Sequence, residues 1–114
     1  MKLVVAVIQP TKLNAVRESL EKVEVQRMTV CDSQGFARQP GRTEIFRGRE
    51  SSGLVRKIVL EIVVNDDFLE RTVEAIADVA RSGPEGTIGE GSIFILPAEE
   101  AIRIDDASRG PGAV

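Results

Sequence analysis

The sequence predicts an α+β domain built from two successive β-α-β units. Two apolar, β-branched runs at residues 3–8 and 55–64 are strand-like. Each is followed by a short polar turn and a stripe of apolar residues at helical spacing. An apolar segment returns after each helix. A chain of 114 residues suits one domain, 1–114, around a single core.

Residues 3–8 carry no polar alternation, the pattern of a strand covered on both faces. Pro10 stops it, and Thr11 is placed to cap a helix. Leu13, Val16, Leu20 and Val23 then share one helical face, which predicts a helix over 12–22. Residues 26–31 read as the second strand. Residues 33–54 are polar, charged and punctuated by glycine, far too long for a hairpin turn. A connection of that length carries function or is disordered. The third strand, 55–64, is apolar on both faces apart from Glu61. Asn65 or Asp66 is placed to cap a second helix with the stripe Leu69, Val73, Ile76 and Val79. A glycine-rich loop over 82–91 leads to a fourth strand at 93–96. Residues 101–104 suggest a short edge strand, and 105–114 a C-terminal tail whose residues 108–113 look frayed.

This order, βαββαβ, is the ferredoxin-like pattern, in which both helices lie on one face of an antiparallel sheet. Two helices cannot cover the second face of strands that are apolar on both sides. A bare apolar sheet exceeds what a soluble monomer exposes, so a homo-oligomer is expected, with a second copy as the cover.

Composition narrows the function. The net charge of −3 gives no reason to expect nucleic acid as a partner, and four Phe are the only aromatics on which bases could stack. The chain has no His, the commonest general base and metal ligand, and no paired acid-base constellation, so it does not read as an enzyme. The lone Cys31 forms neither an internal disulfide nor a zinc site, which suits a reducing, cytoplasmic setting. No run approaches the roughly 20 apolar residues of a membrane span.

A set of short motifs then stands out. They are Met28-Thr29-Val30, Gly35-Phe36-Ala37-Arg38-Gln39, Gly41-Arg42-Thr43-Glu44 and Arg47-Gly48-Arg49-Glu50. Further on come Lys57 to Val64 with Asp66-Asp67, Ile88-Gly89-Glu90-Gly91 with Ile93-Phe94, and Ile102-Arg103-Ile104. In this order and spacing, over nearly the whole chain, the sequence resembles the PII signal-transduction proteins, the trimeric nitrogen-regulatory family. The resemblance implies a homotrimer of ferredoxin-like subunits with their sheets facing inward. It implies ATP or ADP in clefts between subunits and, with magnesium and ATP, 2-oxoglutarate. It also implies a long loop that changes shape with the ligand and docks on target proteins.

Read alone, the glycines of 88–91 let backbone N–H groups approach a phosphate, or simply make a turn. The resemblance assigns Gly89, Glu90, Gly91 and Ser92 to the phosphate-binding loop. It places Val7, Thr29, Gly35, Phe36, Ala37, Arg38, Gln39, Glu61, Ile62 and Val63 around the base, ribose or phosphates, with Arg103 on the phosphates. Gln39 would help hold magnesium, and Gln39, Gly41 and Lys57 would hold the effector. On the residues alone, Lys57 reads rather as a solvated strand-end lysine and Arg38 as a loop surface charge.

Departures from the family are informative. Ser92 stands where the family has a phosphate-binding lysine, Asp105 where it has a second arginine, and Gln9 where it has a lysine. Residues 83–87 make the glycine-rich loop about two residues longer. At roughly 1.5–3 kcal/mol per charge-assisted hydrogen bond, losing two cations weakens binding by about two to four decades. Nucleotide binding is therefore expected to be weak or absent. The long loop has no tyrosine to modify, and Arg49 stands at the position of a modifiable serine. Ser51-Ser52-Gly53 reads as a flexible spacer, with phosphorylation of either serine left open.

The expectation is a non-catalytic regulator in nitrogen or carbon metabolism that docks targets through residues 40–54. The alternative is a trimeric interaction scaffold with a degenerate nucleotide site. The missing groups beside an intact scaffold fit a diverged paralogue or an engineered variant.

Overall fold

A computed structural model describes residues 1–36, 44–46, 49–51, 54–81 and 91–114. Its main sheet contains β1 (Lys2–Ile8), β2 (Thr29–Phe36), β5 (Leu54–Val64) and β6 (Gly91–Pro97), in the spatial order β2-β5-β1-β6 and antiparallel throughout. Two short strands, β3 (Glu44–Phe46) and β4 (Arg49–Ser51), pair with each other. Helices α1 (Leu13–Lys22) and α2 (Leu69–Ala80) complete the ferredoxin-like α+β arrangement.

The core lies between the helices and one face of the sheet. Val4, Ala6 and Ile8 of β1 alternate with Ile58, Leu60, Ile62 and Val64 of β5 to form its floor. Val16 and Leu20 from α1, and Thr72, Ala75 and Ile76 from α2, close it from above. Each large aliphatic side chain buried this way contributes about 1.5–3 kcal/mol. The buried Thr72 is satisfied, since its Oγ1–H donates to the Phe68 carbonyl at 2.7 Å. Ser19 Oγ donates to the Ala75 carbonyl at 2.8 Å and ties the two helices together.

No helix among the described residues covers the opposite face. It presents Leu3, Val5 and Val7 from β1, Val59 and Val63 from β5, and Phe94 and Leu96 from β6, as the register requires. Val63 is 39% exposed, Phe94 55% and Leu96 43%. Strands apolar on both sides thus bury one face and leave the other open within a single chain.

Several boundaries differ from the sequence expectation. The second strand begins at Thr29 rather than 26 and runs on through Ser33–Phe36, which had read as loop. Its partner is the start of β5, with Ser33 opposite Lys57 and Phe36 opposite Leu54. Neither helix has a side-chain cap. Pro10 opens a 3₁₀ turn over Pro10–Lys12, closed by Lys12 N–H to the Gln9 carbonyl at 3.0 Å, so Thr11 does not cap α1. Asp66–Phe68 make the equivalent turn before α2, while Asp66 pairs with the Met1 amino group and Asn65 donates to the Pro111 carbonyl. On α2 the expected Ile76 is buried in the core with Leu69 and Val79 packed against it, and Thr72 and Ala75 are buried beside them.

Residues 101–104 form no strand. They make one bridge, Ile102 with Arg109. The tail is not frayed: Gly110–Ala113 form a 3₁₀ turn, Ala113 is buried, and Gly110 N–H donates to the Ala101 carbonyl at 3.0 Å. Helix α1 ends in a Schellman motif. Val25 N–H reaches the Leu20 carbonyl at 2.9 Å and Glu24 N–H the Glu21 carbonyl at 3.0 Å, with Glu24 left-handed at φ 67°.

Candidate functional site

The expected site residues that the structure describes fall into two groups, separated along β1. The first lies at the Ile8 end. Val7 is opposite both Val59 and Ser92, and Ile8 is opposite Gly91. Gly91 has φ +137°, and a Cβ there would sit 1.9 Å from the Val7 carbonyl oxygen, so only glycine fits. Val7, Gly91 and Ser92 share a cavity of about 290 Å³ with Ile76, Ala80 and Arg81. Beyond this end, Gly35 faces Val55 and Lys57 faces Ser33; Phe36 is 81% exposed.

The second group lies at the Lys2 end. Thr29 and Val5 flank Glu61 on neighbouring strands, and Val63 is opposite Leu3. Thr29, Glu61 and Val63 line a cavity of about 490 Å³ that also takes in Arg27, Ala101 and Val114. Glu61 is exposed on the open face. Ile62 points the other way, 1% exposed in the core, and has only its backbone to offer. From Val7 to Leu3 is four residues of strand, about 13 Å. Among the described residues, a single chain therefore presents two partial sites and does not join them.

Arg103 stands in the segment that follows Ala101. Its Nε donates to Asp105 Oδ1 at 3.0 Å and its Nη2 to Asp105 Oδ2 at 2.5 Å, a two-pronged ion pair. The bond from Arg103 holds the Asp105 carboxyl below its ordinary value, helped by the Asp106 backbone N–H and partly opposed by desolvation. Ala37, Arg38, Gln39, Gly41, Gly89 and Glu90 lie outside the described residues, as does half of the long loop.

Three contributors escaped the sequence reading. Arg81, the residue that ends α2, borders the Val7–Ser92 cavity, and its place just before the glycine-rich loop was the only signal. Arg27, which the sequence places within the second strand, precedes β2 and borders the Thr29–Val63 cavity. Val114 arrives through a folded tail, which composition did not foretell.

Comparison with known proteins decides the family. The family model described as "Nitrogen regulatory protein P-II" matches residues 1–108. The chain belongs to the P-II family. Nitrogen regulatory protein GlnK1 of Methanosarcina mazei is 47% identical over 115 residues, covering 100% of this chain and 97% of that protein. Nitrogen regulatory protein P-II of Azospirillum brasilense is 40% identical and that of Rhodospirillum rubrum 42%, each over the full length of both chains. This P-II chain accordingly has a regulatory, non-catalytic role in nitrogen metabolism. No helix among its described residues is long and apolar enough to cross a membrane.

Proposed function

We propose that this P-II protein works as a homotrimer that senses adenine nucleotide in clefts between subunits and controls its targets through residues 40–54. The observation that carries the reading is the division of the candidate site between the two ends of β1, one group beside α2 and the other on the apolar sheet face that no described helix covers. Val7, Gly91 and Ser92 lie at one end of β1; Thr29, Glu61 and Val63 lie at the other. Packing this face against further copies buries Phe94, Leu96 and Val63 and brings one subunit's first group towards another's second.

The residues present fit the two halves of a nucleotide unequally. An apolar wall from Val63 beside the polar Thr29 and Glu61 suits a base and ribose. The polyphosphate half is poorly served, because Ser92 carries no charge and Arg103 is engaged by Asp105. When bound, a nucleotide would supply a charged, size-selective input. The chain's own residues would couple it to the loop by favouring one loop conformation over another. Gln39 is the candidate for magnesium, and Gln39, Gly41 and Lys57 for 2-oxoglutarate. An exposed free thiol at Cys31 suits a reducing, cytoplasmic setting.

Calorimetric titration with ATP, ADP and 2-oxoglutarate in the presence of magnesium tests the reading. Weak nucleotide binding is expected in the natural chain. Ser92→Lys with Asp105→Arg should tighten ATP binding by about two decades or more. No heat at millimolar ligand, even in that double variant, overturns nucleotide sensing. It would favour the second reading, a trimeric interaction scaffold, for which the Arg103–Asp105 pair is the specific support.

A further inference from the structure

We propose that Asp105 is the residue that sets the ligand charge this site accepts, by occupying on Arg103 the position that a ligand's oxyanion would take. The inference rests on the nucleotide reading for the location of Arg103 and adds what becomes of its charge. A guanidinium recognises phosphate or carboxylate through two parallel N–H donors. In this chain both Nε and Nη2 of Arg103 already donate to one carboxylate, that of Asp105.

The carboxylate is held in place by its own loop. Asp106 N–H donates to Asp105 Oδ1 at 2.8 Å, and Ser108 N–H donates to Asp106 Oδ1 at 2.9 Å. Arg103 N–H donates to the Ser108 carbonyl at 2.9 Å and closes the turn. The segment's other arginine is also committed, since Arg109 Nη1 donates to Glu100 at 3.0 Å. Residues 99–109 carry Glu99, Glu100, Asp105 and Asp106 against these two arginines, so the segment presents no net positive field to an incoming anion.

An intramolecular carboxylate two residues away acts at an effective concentration of about millimolar or more. A free phosphoanion must exceed that to open the pair. The pair is partly exposed, with side-chain exposures of 35% and 62%, so it opens at modest cost. The device therefore lowers anion affinity by about ten-fold and does not abolish it. It acts on charged phosphates and leaves contacts to base and ribose untouched.

The test follows the Arg103 Nε–H signal by NMR in the full chain, natural and with Asp105→Asn or Asp105→Ala, during titration with inorganic pyrophosphate. Arg103→Ala identifies the signal. The expected result is a shift in either Asp105 variant at pyrophosphate concentrations at least ten-fold lower than in the natural chain. Equal responses in all three proteins, or no response in any, overturn the proposal. A parallel titration with magnesium and ATP separates the two readings. If pyrophosphate engages the opened Arg103 while ATP binds none of the proteins, the charge-setting role of Asp105 stands and the nucleotide reading falls.

Discussion

Gly91 rests against the backbone of Val7, on the neighbouring strand, so closely that a Cβ would lie 1.9 Å from the Val7 carbonyl oxygen. The contact fixes how β6 leaves the glycine-rich loop and where Ser92 stands beside β1. Gly91 also has φ +137°, a conformation that L residues rarely adopt. Gly91→Ala is expected to destabilise the fold by about 2–4 kcal/mol. Urea denaturation monitored by circular dichroism measures this, and an unchanged midpoint would contradict it.

Glu24 carries a left-handed backbone at the end of α1, where its N–H and that of Val25 satisfy the last carbonyls of the helix. A side chain costs energy there that glycine does not. Glu24→Gly should therefore stabilise the protein, by about 0.5–1 kcal/mol, because the relief exceeds the extra backbone entropy of the unfolded chain. Thermal unfolding gives the sign directly.

These two positions show where the sequence was legible. The apolar runs around β1 and β5 and the helical stripes Val16–Leu20 and Leu69–Ile76 announce themselves through local periodicity, and their order gives the fold. The second half of β2 was not legible. Ser33 to Phe36 form an edge strand held by backbone pairing with Leu54 to Lys57 and by the Asp32–Arg56 ion pair at 2.7 Å, none of which leaves an apolar pattern. Helix starts were misread because Pro10 and Asp66 open 3₁₀ turns without side-chain caps. The glycine-punctuated tail read as frayed because its order comes from distant partners, Asn65 and Ala101. The family resemblance marked Val7, Thr29, Glu61, Gly91 and Arg103. It did not reveal that Asp105 holds Arg103, because that depends on how the turn after Arg103 folds.

Phe94 lies opposite Val5 on the open sheet face and is 55% exposed in one chain. If that face is the subunit contact, Phe94→Asp buries an unpaired carboxylate at its centre. The variant should remain folded by far-ultraviolet circular dichroism and sediment as a smaller species than the natural chain. Unchanged assembly would remove this face from the interface.

The hydrogen bond from Arg103 keeps the Asp105 carboxyl ionised, so its folded-state pKa lies below the ordinary 3.8. The sign follows from linkage. A lowered carboxylate pKa contributes stability above the unfolded value, and that contribution fades as pH falls through the folded value. Carboxyl-carbon NMR should give Asp105 a midpoint below 3.8, rising towards that value in Arg103→Ala. A midpoint at or above 3.8 in the natural chain would mean that the pair does not form in solution.

The most direct measurement is sedimentation equilibrium of the natural chain at micromolar concentration. In the proposed trimer, further copies, each of 12.4 kDa, cover the sheet face lined by Val5, Val7, Phe94 and Leu96. A mass of three chains is the expected result. A stable single chain would contradict both the covered sheet face and the site between subunits.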